Sequence, residues 1–288
     1  MATNIHNYFV IVFCCIFMKG GSFSIQSQQD ERKMIMKTNE HDYYSELANW
    51  SFEDIDYITE TLTNWIYEEK IKELATKDSK VLDLGTAAGE KVLKRFPECA
   101  EILGTDFSEE MIASANKNLL KSGRKNISFK VMDNLKMNTP DDYFDLVTAR
   151  HTVTDPVQIY KTLKKGGYIL IRGVDKLDCW ALKRMFKRGQ AFHDKKPISQ
   201  VDYEAILDAG FKDVELIPLH VLEYYKTKED LMALLVKTPI LDDLSEETSD
   251  EYERVPIEQD ILDDYVDQNT TEKGIKLVRR YYGIVGRK

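Results

Sequence analysis

The chain has 288 residues, 43% of them hydrophobic and 31% charged, with neither glycine nor proline in excess. That is the balance of a globular protein with a sizeable core, and it excludes collagen-like and low-complexity classes. A formal net charge of −9 argues against broad affinity for nucleic acid or anionic membrane, and Cys14, Cys15, Cys99 and Cys179 show neither metal-ligand spacing nor a disulfide framework, which points to a reducing, cytoplasmic setting.

Residues 1–40 differ from the rest. Tyr8 to Met18 is an apolar run too short to span a bilayer, and no Lys or Arg precedes it, so it reads as a disordered or non-native leader ahead of an internal start at Met34 or Met36. From 41 to 76, Phe52, Ile55, Ile58, Leu62, Trp65, Ile66 and Ile71 recur at helical intervals and predict an N-terminal helical lid. Next comes Val81-Leu82-Asp83-Leu84-Gly85-Thr86-Ala87-Ala88-Gly89, an apolar strand ending in a turn of small residues, and Asp106 closes a second apolar run roughly twenty positions later. Small residues let a ligand approach the backbone, and Asp106 is placed to accept both hydroxyls of a ribose. Glu90 stands where a pyrophosphate site needs a third glycine, and a carboxylate there repels phosphate. A Gly-Lys-Ser/Thr phosphate loop is absent too. The ligand implied has a ribose, no phosphate, and a positive group for Asp83 to attract: S-adenosylmethionine.

At these residues the chain resembles the class I S-adenosylmethionine-dependent methyltransferases. Val81 to Gly89 matches the family's first motif except that Ala87 replaces its middle glycine, a change accommodated at negative φ and strained at positive φ. Ile102 to Ser108 resembles the second motif, with Ser108 as an N-cap before a helix from Glu109 to Lys121. Phe129 to Asn134 resembles the third strand, Tyr143 to Ala149 the fourth, and Leu163 to Ile171 a helix end, double-glycine turn and fifth strand. The resemblance implies an α/β fold with a doubly wound, mostly parallel seven-stranded sheet, Rossmann-like, and a helical insertion before the last strand. It implies a cofactor site of Tyr44, Asp83, Leu84, Gly85, Thr86, Ala87, Gly89, Asp106, Phe107, Met111, Asp133, Asn134, Leu135 and Arg150, with S-adenosyl-L-homocysteine as the product and no metal. Asp83 falls near the cofactor's amino group, Asp106 on the ribose and Asp133 on the adenine. Tyr44, with Tyr43 and Trp50, is an aromatic candidate for the sulfonium. The loop after the fourth strand, Arg150 to Asp155, faces the methyl group in the family. His151 is the candidate base there, beside the plainer readings of His151 as a wall residue and Arg150 as partner to an acid such as Asp133 or Asp155.

Beyond the fifth strand, Cys179 to Ala191 reads as a helix carrying Lys183, Arg184, Lys187 and Arg188, with Lys195 and Lys196 following. Tyr203 to Ala209 predicts a short helix closed by Gly210, and Val214 to Leu219 the sixth strand. An insertion over 221–276, helical from about Lys228 and strongly acidic from Asp242 to Glu253, precedes a final strand at 277–288. The organisation expected is therefore one methyltransferase domain over 41–288, with lid 41–76, core 77–220 and cap 221–276. The function expected is methyl transfer to a small-molecule acceptor by a monomer or homodimer without membrane or nucleic-acid partners. Two alternatives stand beside it: an RNA or protein methyltransferase docking through the basic stretch 183–196, and a non-catalytic cofactor-binding protein.

Overall fold

The computed structural model describes residues 36–38, 54–242 and 252–288. In chain order the first elements are β1 (Met36–Thr38), β2 (Tyr57–Thr61), α1 (Tyr67–Leu74), β3 (Lys80–Leu84), α2 (Glu90–Arg95), β4 (Glu101–Asp106), α3 (Glu109–Ser122) and β5 (Ile127–Val131). Then follow β6 (Phe144–Arg150), α4 (Pro156–Thr162), β7 (Leu163–Val174), α5 (Trp180–Phe186), α6 (Ile198–Asp208) and β8 (Lys212–Tyr225). The chain ends with α7 (Lys228–Lys237), a 3-10 turn at Pro239–Leu241, β9 (Tyr252–Arg254), α8 (Gln259–Asn269), β10 (Thr270–Thr271) and β11 (Gly274–Arg287).

Strands β3 to β7 form a parallel block in which β3 pairs with β4 and β6, β4 with β5, and β6 with β7. The last long strand, β11, runs antiparallel between β7 and β8, and the order across the sheet is β2-β8-β11-β7-β6-β3-β4-β5. This is the doubly wound, Rossmann-like methyltransferase architecture. Because consecutive side chains of a strand point to opposite faces, Val81 joins the layer under α1, α2 and α3 with Ile71, Val92, Ile112 and Ala115. Its neighbours Leu82 and Leu84 join the layer under α4 and α6 with Ile159, Ile169 and Ile206. Each such fully buried aliphatic side chain contributes roughly 1.5–3 kcal/mol.

Three expectations are corrected. The sheet has nine strands, not seven, because β2 adds an edge beside β8 and β10 pairs with β11. The stretch 41–76 is not a helical lid throughout: among its described residues, 54–76, Tyr57–Thr61 is extended and Tyr67–Leu74 is the one helix. The aromatic and β-branched run Tyr-Ile-Thr-Glu-Thr suits a pleated edge, and the residues that suggested a helical stripe, Ile58 at 51% and Leu62 at 62% exposure, bury nothing. The helix expected over Cys179–Ala191 stops at Phe186, where Lys187 turns left-handed at φ 55°. A side chain on Gly189 would come within 2.5 Å of the Ile240 carbonyl, so the chain there is pressed against the insertion. The leader to residue 35, Tyr43, Tyr44, Trp50 and most of the acidic stretch, 243–251, lie outside the described residues.

The insertion builds a second core. Leu231, Leu234 and Leu235 of α7, Leu262 and Tyr265 of α8, and Ile240 pack with Leu182 and Phe186 of α5 and with Ile275 and Leu277 of β11. The paired strands β8 and β11 carry it, since residues 275–280 of β11 continue their pairing with β8 beyond the last pair with β7, Tyr281 with Val174. That end is the carboxyl side of the parallel strands, where ligands of such sheets bind. Arg188 clamps the insertion from within, donating to the carbonyls of Leu241 and Pro256 and to Glu258 at 2.8 Å.

Candidate functional site

The turn after β3 is shaped by backbone constraints. Gly85 and Gly89 have φ of 68° and 76°, and each lies against a side chain that leaves no room for a Cβ: Thr152 at 2.7 Å from the position at 85, and the Phe129 ring at 2.6 Å from that at 89. Leu84 and Thr86 are buried, so their backbone is what they offer a ligand. Ala87 also lies in the left-handed region, at φ 49°, so the strain attached to that conformation in the sequence is present, at about 1 kcal/mol. Asp106 holds this conformation: Oδ2 accepts the Ala87 N–H at 2.9 Å, and Oδ1 accepts the Ser108 N–H at 3.0 Å. An ionised carboxylate has about four acceptor sites, so lone pairs remain for vicinal hydroxyls. Burial pushes the Asp106 carboxyl up, and the bonds from Ser108, Ala87 and Phe107 pull it back.

Beside Asp106, Phe107 is exposed, and Met111 is fixed in the first turn of α3 by a bond from its N–H to Ser108 Oγ at 3.2 Å. Past β5, Asp133 is exposed and accepts the Leu135 N–H at 2.8 Å, while Leu135 is open to solvent. Asn134 is buried. Its amide donates to Thr152 Oγ1 at 3.0 Å and to the Val153 carbonyl at 3.2 Å, and its buried Oδ1 has no partner among the described residues. A buried acceptor left unpaired costs roughly 1–3 kcal/mol.

Asp83 lies beneath the turn and accepts the Thr148 hydroxyl at 2.6 Å. Burial raises its carboxyl to about 6, against the hydroxyls of Thr148 and Thr86 and the charges of Lys91 and Arg150. Tyr67 of α1 is buried in the same region and its phenol is pushed well up, by burial first and then by Asp83. Arg150 pairs with neither Asp133 nor Asp155. Its partner is Glu68 of α1, at 3.3 Å, shared with Arg95 at 2.6 Å; Asp155 is occupied in capping α4 through the N–H groups of Val157 and Gln158. His151, at φ 54°, accepts a hydrogen bond from Arg172 and meets the Tyr281 ring edge-on at 5.6 Å. Desolvation of the ring, then Arg172, Arg150 and Lys91, hold its imidazole well below the usual histidine range, and the nitrogen facing Arg172 is engaged by that guanidinium.

The structure thus brings Asp83, Gly85 to Gly89, Asp106 and Asn134 together at the carboxyl ends of neighbouring strands. Sequence reasoning missed Tyr67, Glu68, Lys91, Thr148, Thr152 and Arg172. Thr152 is the keystone among them, touching both Gly85 and Asn134, and its place two residues beyond the fourth strand was the available signal.

A family described as a methyltransferase domain matches residues 75–238. The chain belongs to this family. The chain is 28% identical over 93 residues, 32% of its length, to the uncharacterized methyltransferase YcgJ of Bacillus subtilis, covering 37% of that protein. It is 30% identical over 154 residues, 47% of its length, to phosphoethanolamine N-methyltransferase 3 of Arabidopsis thaliana, covering 29% of that protein. It therefore spans less than half the length of these curated relatives. A solved putative methyltransferase from Bacillus halodurans superposes at a TM-score of 0.51 and 15% identity, covering 77% of this chain and 98% of that one, a likeness of fold. The family uses S-adenosylmethionine, and the residues present fit it: the turn gives close backbone approach, and Asp106, held by the Ala87 and Ser108 N–H groups, keeps free lone pairs.

Proposed function

We propose that this protein is an S-adenosylmethionine-dependent methyltransferase acting on a small-molecule acceptor. The observation that carries the methyl-transfer reading is the Asp106 carboxylate, fixed by the Ala87 and Ser108 N–H groups at the mouth of a glycine turn that admits ligand backbone-close. When bound, the cofactor supplies an electrophilic methyl group whose positive charge disappears as transfer proceeds. The chain's own residues then have mainly to align and to exclude water. Asp106 and Asn134 orient the nucleoside end, and Asp83 offers a negative potential to the cationic end. His151, Arg172 and Tyr281 line the acceptor side.

Two observations favour a small acceptor over a macromolecule. Names among the relatives divide, phosphoethanolamine N-methyltransferase on one side and protein-L-isoaspartate O-methyltransferase on the other. The basic stretch 183–196, however, is not one docking face: Lys183 is 1% exposed and donates to the carbonyls of Lys176 and Gln190, and Arg188 is buried in the insertion. Second, the insertion carries its own core at the carboxyl end of the sheet, the place of a cap that sets acceptor choice. The test is incubation of a cell extract with methyl-labelled cofactor. Label entering the low-mass fraction supports this reading, label entering RNA or protein overturns it, and cofactor affinity without transfer to any fraction marks a binding protein instead.

A further inference from the structure

Arg150 and Arg172 occupy the same level of neighbouring strands, being register partners of β6 and β7, so their stems rise about 4.8 Å apart. Like charges placed opposite each other repel. The acids packed around them do not neutralise the pair: Asp83 acts on Arg150 and Lys91, and its carboxyl is raised by burial to about 6. Glu68 from α1 is divided between Arg150 and Arg95, and Asp178 and Glu223 are committed to Arg279 at 3.0 Å each. Arg172 lies 4.0 Å over the Tyr281 ring and makes no ion pair among the described residues. Lys91, in the first turn of α2, makes none either. Lys91 keeps an exposed surface, while partial desolvation of its ammonium and the charges of Arg150, Arg172 and Arg95 push it down to about 8. In a chain of net charge −9, an uncompensated positive cluster in a cleft wall costs stability unless a ligand offsets it.

We infer that Lys91, Arg150, Arg172 and His151 form an anion subsite that seats a carboxylate or phosphate group of the methyl acceptor. This deepens the methyltransferase reading and rests on it for the word acceptor. The sheet order assigns the anion to the acceptor rather than to the cofactor's own carboxylate. Strand β6 separates β7 from β3, so Arg172 stands two strands, about 10 Å, from the turn at 85–89. The guanidinium gives a planar fork for two oxygens, His151 adds a neutral polar edge, and Lys91 adds a point charge.

The test is a titration of the full chain with inorganic phosphate, followed by calorimetry and by the nuclear magnetic resonance signals of the His151 ring, assigned with His151→Gln. It is run on free protein, on protein saturated with S-adenosylhomocysteine, and on protein saturated with methylthioadenosine, which lacks the carboxylate. The expected result is millimolar phosphate binding at low ionic strength in all three, shifting the His151 signals. Arg172→Gln should weaken phosphate tenfold or more, Arg172→Lys should restore part of it, and S-adenosylhomocysteine affinity should stay within about twofold in both. Phosphate that binds with methylthioadenosine present but is expelled by S-adenosylhomocysteine would give the cations to the cofactor and overturn the inference. Unmoved His151 signals, or phosphate binding indifferent to Arg172→Gln, would overturn it as well. Failure of S-adenosylhomocysteine itself to bind strikes the methyltransferase reading, whereas the free-protein arm still judges the anion subsite.

Discussion

The two halves of the cleft are built on different principles. At the ends of β3, β4 and β5 the polar groups are mostly satisfied by backbone a few residues to some twenty residues away: Asp106 by Ala87 and Ser108, Asp133 by Leu135. At the ends of β6 and β7 the charged groups meet partners from remote parts of the chain, Arg150 with Glu68 and Arg172 with Tyr281, and positive charge is left over. A self-satisfied half is preformed for one constant ligand. A half with uncompensated charge is shaped by the ligand that completes it, and it is the half to which we assign the acceptor in the proposal above.

The largest test of this contrast is in the insertion. Leu262 is fully buried in the second core, and Leu262→Ala should cost about 2–5 kcal/mol in chemical denaturation. Transfer should fall far more than S-adenosylhomocysteine affinity; an equal loss of both would mean that the halves are one unit. Next is Asp106→Ala, which removes the acceptor and releases Ala87 and Ser108. Calorimetry should show S-adenosylhomocysteine affinity lower by tenfold to a hundredfold, about 1.5–3 kcal/mol, and unchanged affinity would break the cofactor assignment.

Asp83 gives a pH signature of similar size. Its folded carboxyl sits at about 6, above the unfolded value of about 3.9. The folded state therefore binds the proton more tightly, its stability relative to Asp83→Asn is greatest below about pH 4, and it is lost as pH rises through 6. Denaturation curves should show Asp83→Asn gaining on the wild type by about 3 kcal/mol between those limits and by nothing further above. A difference independent of pH would mean that the carboxyl does not titrate there. The smallest effect is Ala87→Gly, which relieves the left-handed strain and should raise stability by about 1 kcal/mol at most, partly offset by the freer unfolded chain. A loss of stability would show that Ala87 is not strained.

The same contrast explains what could be read in the sequence. Asp83, Gly85, Gly89, Asp106 and Asn134 each end or follow an apolar run, so local pattern marked them. The strands of the block did likewise. Glu68, Thr148 and Arg172 acquire their roles only from registers between distant segments, such as Arg150 beside Arg172, and no spacing in one sequence encodes those. The helical reading of 57–61 failed for a related reason: an edge strand exposed on both faces carries little periodicity, and what orders Tyr57–Thr61 is the open side of β8. Lys183 and Arg188 misled by composition, since the buried Lys183 ammonium serves the carbonyls of Lys176 and Gln190 and the Arg188 guanidinium serves carbonyls of the insertion.

The position of β11 between β7 and β8 has a consequence for the order in which the molecule assembles. Until residues 274–287 are made, the parallel block at β7 and the β2–β8 pair each present an unpaired strand edge, and no contact joins them through the sheet. Such edges invite pairing with other chains. The nascent protein is then most vulnerable to aggregation in the interval between synthesis of β8 and of β11, and a chaperone shielding the β7 edge would act on it while the insertion is being made.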